Sequence, residues 1–175
     1  MKFTETPLSG AYIIDIDPIG DERGFFATCW TREDFTKRGL TGEFIQCNVS
    51  LSQATGTVRG MHFQHAPHQE AKLVRCTQGA LYDVLLDLRA DSPTYLQWHG
   101  VELTVENRRM AYLPEGIAHG FQTLADDTEI LYMVSAYYHP VSQAGARWND
   151  PAFNIQWPLP LSVISDKDAN FPDWG

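Results

Sequence analysis

The chain has 175 residues, 43% of them hydrophobic and 20% charged, which suits one domain with a sizeable core. Its formal net charge of −9 argues against a nucleic-acid partner, whose binding depends on basic side chains that neutralise phosphates, and no apolar run approaches the roughly 20 residues of a membrane span. Cys29, Cys47 and Cys76 are odd in number and widely spaced, and the opening M-K-F-T-E-T-P has no apolar h-region, so reduced thiols and a cytoplasmic location are expected.

In chain order, residues 10–16 alternate weakly and predict a strand, closed by a polar turn through Asp17, Pro18, Gly20 and Asp21. Arg23 follows in D-E-R-G-F-F, exposed at a turn, and the paired Phe25 and Phe26 are expected to reach core on at least one side. Residues 31–38 carry the one clear helix signal. Thr31 caps it, Asp34 stands three residues on as in a capping box, and Gly39 closes it. Beyond it the chain reads as β, over residues 43–51, 57–64, 71–77, 80–88, 98–105, 109–113, 120–123 and 129–138, with Gly, Pro, Asn or Asp turns between most of them. That spacing predicts an all-β sandwich or barrel. Within 80–88, Tyr82, Val84, Leu86 and Leu88 share one face and Leu81, Asp83, Leu85 and Asp87 the other. The aromatic, proline-rich N-D-P-A-F-N-I-Q-W-P-L-P predicts an ordered irregular wrap over the barrel, ending in S-D-K-D.

The densest chemistry lies in V-R-G-M-H-F-Q-H-A-P-H-Q-E-A-K, residues 58–72. As an extended strand it puts His62 and Gln64 on one face and Met61 and Phe63 on the other. Arg59 has the wrong parity to join His62, but a glycine inside a strand often marks a bulge that re-aims a neighbour. Arg59 and His62 are therefore expected in one cavity. Imidazole titrates near neutrality, which makes His62 a candidate base, with Asp168 or Asp166 of S-D-K-D brought in by the terminal wrap to fix its tautomer. Tyr132 lies in the apolar I-L-Y-M-V and, on the residues alone, reads as a core tyrosine whose hydroxyl needs a partner.

Y-L-P-E-G-I-A-H-G-F, residues 112–121, contains Pro-x-Gly-x-x-His, the second signature of the cupin superfamily, which the chain resembles. The resemblance implies a jelly-roll barrel that usually holds a metal on three histidines and a glutamate. Gly56 and His62 keep the spacing of the first signature, but Gln64 stands where a second histidine belongs and Glu70 lies further on than the pattern wants. An amide oxygen suits a soft divalent ion poorly, so the expectation is a site without metal that works by acid–base chemistry, with a metal-dependent cupin as the rival.

The phrases D-E-R-G-F-F, Q-C-N-V-S, R-G-M-H-F-Q, A-K-L-V-R-C, D-L-R-A-D-S-P-T-Y, Y-L-P-E-G-I-A-H-G-F, W-N-D-P and S-D-K-D, in this order, resemble the dTDP-4-dehydrorhamnose 3,5-epimerase family over nearly the whole chain. The resemblance implies a single cupin domain over residues 1–175, without metal or cofactor and homodimeric with an exchanged arm. Such a protein epimerises a nucleotide-linked 4-keto-6-deoxyhexose at C3 and C5. It further implies His62 as base, Asp168 as its orienting carboxylate, Tyr132 as acid and Lys72 beside the substrate ketone. Arg23, Gln46, Asn48, Arg59, His119 and Lys167 match positions that line the sugar and pyrophosphate sites, Arg23 from across the dimer. The chain departs from the pattern at Thr28 and Gln143, where the rhamnose-pathway enzymes usually carry glutamates that contact the nucleotide side, and at Glu70, where a glutamine is common. A CDP- or other nucleotide-linked sugar, epimerisation at C3 only, and a non-catalytic sugar-nucleotide-binding module stay open as alternatives.

Overall fold

In the computed structural model, which describes residues 1–175, alternation along the strands decides the architecture. The strands are β1 (Lys2–Glu5), β2 (Tyr12–Asp15), β3 (Ile19–Asp21), β4 (Gly24–Phe26), β5 (Gln46–Ser52), β6 (Val58–Gln64), β7 (Lys72–Gln78), β8 (Ala80–Asp87), β9 (Trp98–Thr104), β10 (Met110–Leu113), β11 (Ile117–Thr123), β12 (Thr128–Val134) and β13 (Gln143–Gly145). Two short helices, α1 (Arg32–Thr36) and α2 (Asp166–Ala169), complete the set. One sheet runs β1-β2-β10-β7-β12-β5, the other runs β13-β6-β11-β8-β9, and β3 and β4 form a separate hairpin. This is the expected all-β cupin jelly roll, formed as two facing antiparallel sheets rather than a closed barrel. No helix is long and apolar enough to cross a membrane.

The sheets pack on each other, and part of each outer face is covered as well. Leu81 and Leu85 of β8 point between the sheets, against Val74 and Cys76 of β7, Ile117 and Phe121 of β11 and Ile130 of β12. The opposite face of β8 (Tyr82, Val84, Leu86) joins Met61 and Phe63 of β6 beneath Phe153, Ile155, Trp157 and Trp174 of the C-terminal wrap. The outer face of the six-stranded sheet is covered from the N-terminal side, where Phe35 of α1 packs on Leu73, Met110 and Tyr112. Phe35 is fully buried and meets Phe3, Tyr112 and Phe44 edge-on at 5.3, 5.8 and 6.1 Å. Burying one such ring is worth up to about 3 kcal/mol. The helix starts where its cap predicts, with Thr31 Oγ1 accepting from Asp34 N at 3.1 Å.

Two expectations need correction. Phe25 and Phe26 are not core: they are 48% and 70% exposed on the β3–β4 hairpin, as is Ile19 at 73%, because this hairpin belongs to neither sheet and no layer of the chain covers it. The strand expected over residues 120–123 begins earlier, at Ile117, and all seven of its residues are buried. With both faces packed, β11 shows no polar–apolar alternation to read. β1, β3, β4, β13 and α2 span only three or four residues each, too short for a periodic signal.

Candidate active site

The two sheets part around a cavity of about 510 Å³, whose walls include His62, Lys72, His119, Tyr132, Arg59, Lys167 and Asp168. Parity explains most of this set. Lys72 on β7 lies in phase with Val74 and Cys76, and Tyr132 on β12 in phase with Ile130, all facing inward. From the facing sheet, His62 on β6 and His119 on β11 are register partners and both face the cavity. Arg59 escapes the parity rule through a bulge: β11 pairs His119 with His62 but Phe121 with Arg59, so β6 carries one residue more over this interval. Gly60 sits at the bulge with φ +121°, and a Cβ there would come within 2.7 Å of the His119 carbonyl oxygen. A Cβ at Gly120 would come within 2.9 Å of the Arg59 carbonyl. The glycines of R-G-M-H and H-G-F thus let two backbones touch where the histidines are set.

The terminal wrap delivers the carboxylate. Ser165 caps α2 by accepting from Asp168 N at 3.1 Å, which leaves Asp166 exposed and Asp168 4% exposed. His62 Nε2 meets Asp168 Oδ1 at 2.7 Å, and the other carboxylate oxygen accepts from Gly60 N at 3.1 Å. Burial pushes the Asp168 carboxyl upward, but the bonds from His62, Gly60 and Ser165 and the charge of His62 outweigh it and hold it below the usual range. An ionised Asp168 accepts a hydrogen bond from Nε2–H, which leaves Nδ1 as the basic nitrogen of His62. The Phe171 ring stands edge-on to His62 at 6.2 Å.

His119 has its own carboxylate, with Nε2 2.6 Å from Asp83 Oδ1 and Asp83 wholly buried. Lys72 has Glu70 at 3.1 Å. Asp83 and Glu70 were not expected at the site. Asp83 was legible only as an acidic residue on the inward face of β8, whereas nothing in the sequence paired Glu70 with Lys72. Tyr132 is half-buried, and its phenol is pushed above the ordinary range by burial first and by the charge of Glu70 second, with Arg59 opposing.

Three expected site residues lie apart. Gln46 and Asn48 occupy β5 on the same side as Ser50, which lines the cavity, but they stand further along the strand and bond each other at 2.7 Å. Arg23 is at the tip of the hairpin, its side chain 84% exposed and paired with Asp21. Gln143, by contrast, lines the cavity, and its Oε1 accepts from Lys167 Nζ at 2.6 Å and from the Tyr138 hydroxyl at 2.8 Å.

The donors do not suit the usual cupin metal. His62 and His119 each give Nε2 to a separate aspartate. Gln64 turns to the backbone, donating to His68 O at 2.9 Å and Tyr137 O at 3.2 Å and accepting from His139 N at 2.7 Å. No three His, Cys, Asp or Glu side chains are grouped to hold an ion.

Known proteins carry the same plan. Residues 5–175 match the family model described as dTDP-4-dehydrorhamnose 3,5-epimerase. The chain is 43% identical over 173 residues to the dTDP-4-dehydrorhamnose 3,5-epimerase of Methanothermobacter thermautotrophicus, covering 97% of this chain and 92% of that protein. The crystal structure of the Bacillus anthracis dTDP-4-dehydrorhamnose 3,5-epimerase, with TDP and PPi bound, superposes with a TM-score of 0.94 at 42% identity, covering 99% of both chains. A 3'-monoepimerase from Streptomyces bikiniensis in complex with dTDP-quinovose superposes at 0.89 with 31% identity, over 96% of this chain and 85% of that one. With matches of this identity over nearly its full length, the chain belongs to the dTDP-4-dehydrorhamnose 3,5-epimerase family.

Proposed function

We propose that His62 and Tyr132 carry out the family's reaction, the epimerisation of dTDP-4-dehydro-6-deoxyglucose at C3 and C5 to dTDP-4-dehydrorhamnose, as base and acid on opposite faces of the sugar. The observation that carries this is their placement on facing sheets of one cavity, with Lys72 in the same wall. His62 Nδ1 takes the proton α to the C4 ketone, and the C–H electron pair moves into the enolate, placing negative charge on the C4 oxygen. Lys72 donates to that oxygen; one pre-placed donor of this kind is worth about 3–4 kcal/mol. Tyr132 delivers its proton to the opposite face, the enolate returns to ketone, and solvent resets both residues. Inversion needs exactly two such groups, because a single base would return the proton to the face it came from.

Charge distribution supports the orientation of the ligand. Inside, His62, His119 and Lys72 each have a carboxylate partner. At the exposed side, Arg59 bonds only Ser52 Oγ and Leu51 O, both at 3.0 Å, and Lys167 bonds the amide of Gln143. Two cations with neutral partners fit a diphosphate, which puts the neutral sugar ring at the histidines. Gln46 and Asn48 then contact the ligand from the open side of β5. Arg23 and the exposed Ile19, Phe25 and Phe26 suit a hairpin exchanged between two copies of the chain in a homodimer, with Arg23 completing the partner's site. The protein is read as a cytoplasmic enzyme without cofactor, acting as one domain.

Incubation with dTDP- and CDP-4-keto-6-deoxyglucose in deuterated water, followed by mass and NMR analysis, tests the reading. Two deuterons, at C3 and C5, are expected with the dTDP sugar. One deuteron at C3 would select the monoepimerase alternative, an activity for which the 31% identical Streptomyces bikiniensis protein is named. Preference for the CDP sugar would follow from Thr28 and Gln143. No label with either sugar would leave a binding module.

A further inference from the structure

Glu70 is absent from the cavity wall, yet it pairs with Lys72, which forms part of it. Its carboxylate lies 3.1 Å from the Lys72 ammonium, and the two side chains are only 12% and 8% exposed. An ammonium this dry is costly to keep charged without a counter-ion. The surroundings fix the pair: Lys72 Nζ also donates to the His62 carbonyl at 3.3 Å, and Gln64 Nε2 donates to Glu70 Oε2 at 3.3 Å. The ammonium is thus held from inside the wall by a carboxylate and a carbonyl oxygen while it lines the cavity.

We propose that Glu70 is a positioning residue of the epimerisation: its carboxylate fixes the Lys72 ammonium at the cavity wall, where Lys72 meets the enolate oxygen. The inference rests on the role given above to Lys72. With Glu70 in place, Lys72 stays charged at the wall without recruiting a counter-ion from elsewhere.

Glu70→Gln is expected to lower kcat about tenfold with KM little changed, as loss of an interaction made mainly in the transition state requires, and Glu70→Asp, which keeps the charge, to recover most of that loss. An unmoved kcat in Glu70→Gln, or a Glu70→Asp no better than Glu70→Gln, overturns the proposal. Failure of the wild type to exchange solvent deuterium would instead sink the functional reading. If Glu70→Gln folds poorly because Lys72 loses its counter-ion, Glu70→Gln/Lys72→Met removes both charges together. Because Glu70 acts through Lys72, this double variant should be no slower than Lys72→Met alone, and a further loss of about tenfold there overturns the proposal.

Discussion

The inner end of the cavity and its mouth solve opposite electrostatic problems. Inside, each basic side chain has a carboxylate within bonding distance: His62 with Asp168 at 2.7 Å, His119 with Asp83 at 2.6 Å, and Lys72 with Glu70 at 3.1 Å. At the mouth, Arg59 and Lys167 are held by hydroxyl, carbonyl and amide oxygens and bring no anion with them. A paired interior can place proton donors and acceptors in a poorly solvated space without a large desolvation cost. An unpaired mouth can take up a diphosphate in a protein whose net charge is −9, because screening confines charge effects to roughly 8 Å. Chemistry and binding are thus separated along the cavity, and substitutions at the two ends should differ in kind.

The largest effect is expected at the inner end. His62→Ala removes the base, so solvent exchange and turnover should both fall by about a thousandfold, within the range of general-base contributions; exchange at the wild-type rate would break the assignment. Tyr132→Phe removes only the acid. Proton abstraction survives, so deuterium should still enter the substrate while formation of the inverted product falls about a hundredfold, and equal loss of both would show that Tyr132 does not act after His62.

At the mouth, smaller changes confined to binding are expected. Lys167→Met should raise KM about tenfold with kcat nearly unchanged, and should flatten the dependence of KM on salt, as loss of one phosphate-facing cation demands. Gln143→Glu keeps the shape of the hydrogen bond to Lys167 but supplies an anion. It should raise KM a fewfold for a substrate that depends on the cation. A fall in kcat with KM unchanged, in either variant, would mean that the two ends are not separate.

The inner end was more legible than the mouth because its residues sit on strands with period-two faces. Lys72 and Tyr132 share a face with the inward Val74, Cys76 and Ile130, His62 stands opposite the outward Met61 and Phe63, and the exception of Arg59 was marked by Gly60. His119, by contrast, lies before the strand expected from residue 120 and was carried by the Pro-x-Gly-x-x-His motif. At the mouth, Gln143 comes from a three-residue strand, Lys167 from a single helical turn and Tyr138 from the irregular segment between β12 and β13. None of these is long enough to show a period, so the meeting of Gln143, Tyr138 and Lys167 was hidden. The hairpin misled for another reason. Phe25 and Phe26 have core-type side chains but stay largely exposed, with the Arg108 guanidinium over the Phe25 ring at 4.8 Å and no apolar layer above them, and burial is a property of partners, which a single sequence does not display. Cross-strand pairs such as Asp83 with His119 depend on strand order, since β8 and β11 are neighbours only in the folded sheet.

Asp87 provides the control for the inner end, since it lies on the same strand and the same face as Asp83 but outside the cavity. It is wholly buried and accepts from Arg89 Nη2 and Ser92 Oγ at 2.6 Å and from Thr94 Oγ1 at 2.7 Å. Burial raises its carboxyl, but these bonds overcome that and bring it down to about 2. Its folded-state value lies below its unfolded one, so the stabilisation is present above the unfolded value near pH 4 and is lost as the pH falls toward 2. A shift of this size corresponds to about 2 kcal/mol. Asp87→Asn should therefore cost about that much in urea unfolding at neutral pH, the cost shrinking below pH 4, while kcat and KM at room temperature stay within about twofold of wild type. A pH-independent cost would mean that the carboxylate's charge is not what Arg89, Ser92 and Thr94 hold. A large loss of kcat would mean that the loop from Arg89 to Thr94 reaches the reaction through β8, and that the division between scaffold and chemistry on this strand is drawn in the wrong place.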